Sequence, residues 1–190
     1  MRLDELIRFS GLFFEAEGVP YFVFGATAMN FWVPPRNTVD LDVVVCADKR
    51  RGHALLEKLR KSRFPIPQRL MRKFSEGRLI KIKLGDTELD LKLCATRHDR
   101  QALARSRIFK ADDHALRIAV PEDLVLFKLQ YWRRQDQADI ERLLALRADI
   151  DVKYIETWLD PIEEDVGAPM RSRWDEISGM SSPTVAARPG

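Results

Sequence analysis

Two aspartates separated by one leucine, Asp40-Leu41-Asp42, open a β-branched run that continues Val43-Val44-Val45. In a strand, side chains i and i+2 point to the same face, with Cα atoms about 6.5 to 7 Å apart. The two carboxylates therefore project together, while Leu41 and Val43 turn into the core. A pair so placed can bracket divalent ions, and hard cations such as Mg²⁺ or Mn²⁺ take oxygen ligands. A third acid, Asp90, lies mid-strand in Glu88-Leu89-Asp90-Leu91-Lys92-Leu93. On a strand beside the first two it would complete an oxygen-rich site. Three carboxylates about 6 Å apart repel by roughly 2 to 3 kcal/mol per pair at an effective dielectric near 20, and a cation relieves that repulsion. The other reading of Asp90 is a cross-strand pair with Lys81 on a solvated face. A second Asp-x-Asp, Asp149-Ile150-Asp151, falls at a helix boundary and reads as helix-end and capping chemistry.

The elements that must position these groups follow from hydrophobic spacing and turn residues. Helical periodicity predicts a first helix over residues 3 to 17, ended by Gly18-Val19-Pro20. Tyr21 to Phe24 reads as a short buried strand. Gly25 then opens a second helix through about Val33, stopped by Pro34-Pro35. At Gly25 the missing Cβ lets a phosphate approach the backbone, and the following helix offers amide protons to an anion; close packing in a strand-to-helix turn explains a glycine there as well. A second strand is expected over Val39 to Val45. A basic amphipathic helix follows from Asp48 to about Arg63, with Ala54, Leu55 and Leu59 inward. Residues 78 to 84 and 87 to 93 both alternate, and their faces agree only if Gly85-Asp86 is a two-residue hairpin turn. That register pairs Ile82 with Leu89 and Lys81 with Asp90. A helix over residues 97 to 105, a weaker strand pair near 107 to 109 and 116 to 119, and helices over 121 to 133, 136 to 146 and 152 to 159 complete the pattern. The expected fold class is α/β or α+β, a mixed sheet flanked by helices. Residues 1 to 120 form the core, 121 to 165 a helical part packed on it, and 179 to 190 a frayed Ser/Pro/Ala/Gly tail.

At 190 residues and 45% hydrophobic composition the chain is long enough for one well-cored domain. Its N-terminus lacks the uninterrupted apolar stretch of a signal peptide, and no run approaches a membrane span. Two cysteines, Cys46 and Cys94, make no disulfide framework, and a reducing cytoplasm is expected. Net charge is +3, yet residues 49 to 83 carry thirteen Lys and Arg against Glu57 and Glu76. Such a face fits a polyanionic partner such as RNA.

The stretch FGATAMNFWVPPRNTVDLDVVV resembles the signature of the DNA-polymerase-beta-type nucleotidyltransferase superfamily. There a Gly followed by Ser or Gly opens a helix and Asp-x-Asp lies on the next strand. The spacing Arg36-x-Thr38-x-Asp40-x-Asp42 is similar to the minimal and AbiEii-like toxin nucleotidyltransferases. PEDLVLFKLQYWRRQDQADIERLL resembles that group's distal motif, a helical Lys followed by Arg and Asp-x-x-Asp. The resemblance implies that Asp40 and Asp42 bind two Mg²⁺ (or Mn²⁺) holding an NTP, and that Asp90 helps bind the catalytic metal and activates an acceptor hydroxyl. Gly25, Ala26 and Thr27 would line the phosphates, and Lys128 would contact one. Arg36 would contact substrate or fix its loop, with Thr38 and Arg134 also at the nucleotide. Asp136 or Asp139 would hold the Lys128 and Arg134 neighbourhood, or the acceptor. The implied acceptor is RNA, such as tRNA, or a protein hydroxyl, and the toxin branch implies an antitoxin partner. Ala26 departs from the pattern and removes a hydroxyl, which leaves open a fold that binds nucleotide without turnover.

Overall fold

Tyr21 to Phe24 form β1, and all four of its side chains are buried, as befits a strand with helices on both faces. The computed structural model describes residues 1–62, 64–111 and 113–179; the tail expected over 179 to 190 lies, apart from Gly179, outside them. β1 pairs antiparallel with β2 (Asp40–Val45), which pairs parallel with β4 (Thr87–Leu93). β3 (Ile80–Leu84) closes one edge through the predicted hairpin, with Ile82 opposite Leu89 and Lys81 opposite Asp90. On the other side β1 runs parallel to β6 (His114–Ile118), whose hairpin partner β5 (Arg107–Ala111) is the second edge. The mixed sheet has the order β3-β4-β2-β1-β6-β5, and with its flanking helices it makes an α+β fold.

Alternation divides the sheet into two faces. Leu41, Val43, Leu89, Leu91, Ile80 and Ile82 are buried on one of them. That face is covered by α1 (Leu3–Ala16), α3 (Lys49–Lys61) and α4 (Gln68–Ser75): Phe14 meets Tyr21 at 4.7 Å, and Gly52 lets α3 approach Leu93 and Phe74. On the opposite face Phe22 and Phe24 pack against Phe127 of α6 (Pro121–Tyr131). Asp40, Asp42, Glu88 and Asp90 share that face in register, Asp40 opposite Glu88 and Asp42 opposite Asp90. Around α6 stand α2 (Gly25–Met29), α5 (Arg97–Arg105), α7 (Arg134–Leu146), α8 (Val152–Val166) and α9 (Met170–Ser178). One apolar cluster runs from Leu6 to Trp174 through all these layers.

Several boundaries differ from expectation. α2 is little more than one turn, ending at Met29, and the chain to Val33 continues through turns rather than helix. In α3 the inward residues are Gly52, Leu55, Leu56 and Leu59, and Ala54 is exposed. α4 was not anticipated, although Met71 and Phe74 after Pro67 carry a helical pattern and are both buried. α6 stops at Tyr131 because Trp132 takes a left-handed conformation, φ 53°. α8 continues through Pro161 to Val166 at the loss of one amide donor, with Ile162 buried in the turn that follows. Asp151 caps α8 by accepting from the Tyr154 amide, the capping role expected of the second dyad. Cys46 and Cys94, just past the ends of β2 and β4, are free, half-buried thiols.

Candidate active site

The carboxylate face opens into a cleft of about 340 Å³. Asp40, Asp42 and Asp90 line it, with Gly25, Ala26, Arg36, Thr38 and Lys128 among the neighbours. Parallel pairing of β2 with β4 sets Asp42 directly beside Asp90, so the third carboxylate stands on the adjacent strand. A larger hollow of about 490 Å³ lies beside α1 and Tyr21; its charged groups are Glu15 and Arg117, and it holds no carboxylate cluster.

Each of the two aspartates of β2 is fixed locally. Gly25 sits at φ 68°, and a Cβ there would overlap the Asp42 carboxylate. Glycine is needed at this step because the Asp42 side chain lies against it, which is the packing reason open to a glycine in such a turn. Thr27 does not line the cleft; it is buried, and its Oγ1 donates to the Asp40 carbonyl at 2.7 Å. Thr38 Oγ1 accepts from the Asp40 amide at 3.4 Å.

Electrostatically the face is overloaded with negative charge. Burial, then the neighbouring Asp90 and Asp40, push the Asp42 carboxyl up to about 7. Burial likewise pushes Asp90 up to about 6, against the lowering contact of Lys81. Lys81 Nζ donates to Asp90 Oδ2 at 2.6 Å and to Glu88 Oε1 at 2.7 Å, so the cross-strand pair weighed above is present at the same aspartate. Asp90 Oδ1 is buried with no hydrogen-bond partner among the described residues. Oxygen donors on one face, raised carboxyl groups and this orphaned oxygen fit a hard divalent cation. Among the described residues, however, no three acidic or histidine side chains converge on a common point as a metal-ligand cluster.

Opposite the carboxylates, α6 and α7 contribute a charge network. Lys128, buried, donates to Asp139 Oδ2 at 2.6 Å and lies 3.5 Å from Asp136 Oδ1. Arg36 grips Asp139 with two nitrogens at 3.0 and 2.9 Å, and Asn30 bonds both the Arg36 amide and its carbonyl. Arg36 thus fixes the loop between α2 and β2 while lining the cleft. Arg133 lines the cleft and bonds Asp136 at 2.7 Å; Arg134 is exposed and lines nothing there. The left-handed Trp132 turns the chain between α6 and α7 and brings Arg133, rather than its neighbour, to the cleft. Tyr131 is on the cleft wall. Glu88 joins this face as well, by the same i, i+2 rule that joins Asp40 to Asp42, and was legible in the sequence beside Asp90.

No family model matches the chain, and no curated protein does. Solved structures do. An antigenic nucleotidyltransferase-like protein from Paracoccidioides brasiliensis is similar at 17% identity over 93% of this chain and 91% of that one, TM-score 0.51. The lincosamide antibiotic adenylyltransferase LnuA, solved with lincomycin, is similar at 19% identity over 75% of this chain and 96% of that one, TM-score 0.53. The α+β architecture described above is therefore a nucleotidyltransferase fold.

Proposed function

We propose that this protein is a metal-dependent nucleotidyltransferase that moves a nucleoside monophosphate from an NTP to an acceptor hydroxyl and releases pyrophosphate. The observation that carries the reading is the placement of Asp40, Asp42 and Asp90 on one sheet face in one cleft, with Gly25 closed against Asp42. Asp40, Asp42 and Asp90 would hold two Mg²⁺ or Mn²⁺ ions, which supply charge neutralisation of the triphosphate and polarisation of its α-phosphorus. The acceptor oxygen bonds to that phosphorus as the bond to the leaving pyrophosphate breaks. Asp90, beside Asp42 on the adjacent strand, would take the hydroxyl proton. Lys128 and Arg133 present positive charge from the opposite wall. Positioning and electrostatics carry most of such a reaction.

RNA is the acceptor we favour. A groove of about 750 Å³ adjoins the cleft and shares Lys81 with it; Arg60, Arg69 and Lys83 stand around a floor that includes Phe64, Ile66 and Leu70. That combination suits a phosphate backbone with bases against apolar surface. An acidic pocket for a cationic small molecule is less well supported, because Asp136 and Asp139 are already neutralised by Arg36, Lys128 and Arg133. Ala26 favours a second reading, nucleotide binding without transfer.

Labelled NTPs, Mg²⁺ and total RNA separate these readings. Transfer is expected with wild type and with Asp149→Ala, and a loss of at least a hundredfold with Asp40→Ala. Equal labelling by the two variants sinks the assignment, and NTP binding without pyrophosphate release supports the silent module.

A further inference from the structure

Lys81 occupies an unusual position for a lysine beside a candidate metal ligand. The hairpin register sets it opposite Asp90, and its one ammonium is shared between Asp90 Oδ2 at 2.6 Å and Glu88 Oε1 at 2.7 Å. Its two partners differ from it in exposure. The Asp90 side chain is 5% exposed and that of Glu88 17%, whereas that of Lys81 is 56% exposed on an edge strand. The lysine is thus the member of the trio that can move. Its position also joins two spaces, since Lys81 lines both the carboxylate cleft and the adjoining basic groove.

The ammonium sits on Asp90 Oδ2 and leaves Oδ1 open, so a dication held by Asp42 and Asp90 would share one carboxylate with it, and the two cations repel one another. Glu88 gives the ammonium a second anchor that it keeps when Asp90 is taken.

We propose that Lys81 is a displaceable internal counter-ion of Asp90, with Glu88 as its holder, so that divalent-ion binding and release of the lysine from Asp90 are a single exchange. Lys81 and Glu88 are positioning residues in this scheme, acting through Asp90. The exchange sets the metal affinity of the cleft and turns the freed ammonium toward the groove where a polyanion would lie. It rests on the divalent-ion reading of the three aspartates.

The test is Mn²⁺ binding by calorimetry on the full-length protein without nucleotide, so that catalysis plays no part. Lys81→Met should bind Mn²⁺ about tenfold more tightly than wild type, since the competing cation is gone. Lys81→Arg should remain close to wild type. Lys83→Met removes a neighbouring charge on the same strand that does not touch Asp90, and should change affinity less than about twofold. Glu88→Gln should weaken Mn²⁺ binding several-fold, because the lysine then has Asp90 alone, and this effect should vanish in the Lys81→Met background.

Binding by wild type with no gain in Lys81→Met, or an equal gain in Lys83→Met, overturns the exchange while leaving the metal site standing. Persistence of the Glu88→Gln effect without Lys81 also overturns it. Absence of Mn²⁺ binding by both wild type and Lys81→Met overturns the exchange together with the metal reading beneath it. Thermal melts of each variant verify folding; Lys83 is exposed on the edge strand, and Lys81→Arg keeps a cation on the buried Asp90 where Lys81→Met lowers stability.

Discussion

At the scale of single residues, the contact between Gly25 and Asp42 ties backbone conformation to chemistry. Any side chain at Gly25 meets the Asp42 carboxylate and must also accept φ 68°. Gly25→Ala is therefore expected to lower stability by about 1 to 3 kcal/mol in urea melts and to reduce transfer more than tenfold by pushing Asp42 aside. Asp42 itself works against the fold. Its carboxyl is raised to about 7 in the folded protein by burial and by its acidic neighbours. A carboxyl raised on folding contributes stability below the unfolded value near pH 4, and that contribution is lost as pH rises through 7. In chelator at pH 8, Asp42→Asn should thus exceed wild type by about 1 to 3 kcal/mol while abolishing transfer. Wild type should regain stability on addition of Mn²⁺. A variant less stable than wild type at pH 8 would contradict this account of the site's charge.

Among the elements, α6 and α7 act as a clamp across the cleft. Lys128 is buried between Asp136 and Asp139, and Arg36 reaches the same Asp139 from the loop before β2. The two hydrogen bonds from Arg36, with the Lys128 ammonium, hold the Asp139 carboxyl below its ordinary range despite burial. Lys128→Met removes the shared cation and leaves two buried carboxylates short of a partner. A loss of about 2 to 4 kcal/mol is expected in urea unfolding, together with a weakened hold on the β2 loop. Unchanged stability would mean that Lys128 serves the substrate alone.

Over the whole molecule, charge is laid out asymmetrically. The basic segment wraps the β3 side through α3 and α4, and its groove meets the carboxylate cleft at Lys81. Combined Arg60→Ala, Arg69→Ala and Lys83→Ala should weaken RNA binding and flatten the dependence of log affinity on log salt by about 2. Binding of Mn²⁺-ATP should be unaffected, because none of the three lines the carboxylate cleft. An unchanged salt slope would exclude this groove as the nucleic-acid path.

Local pattern was enough to determine much of this. Period-two alternation put Asp40 and Asp42 on one face, and the Gly85-Asp86 turn fixed the register that pairs Lys81 with Asp90. Both are properties of a few consecutive residues, whose side-chain directions follow from backbone geometry. The same local rules mislaid Ala54 and the length of α2, because which flank of a helix is covered depends on what packs there. Tertiary structure alone decided that β4 lies parallel beside β2, which sets Asp90 against Asp42 and Glu88 against Asp40. No residue between those strands encodes that pairing; it arises because burying their shared apolar face under α1, α3 and α4 leaves the acidic faces side by side. The turn at Trp132 likewise brought Arg133 rather than Arg134 to the cleft through one left-handed residue between α6 and α7.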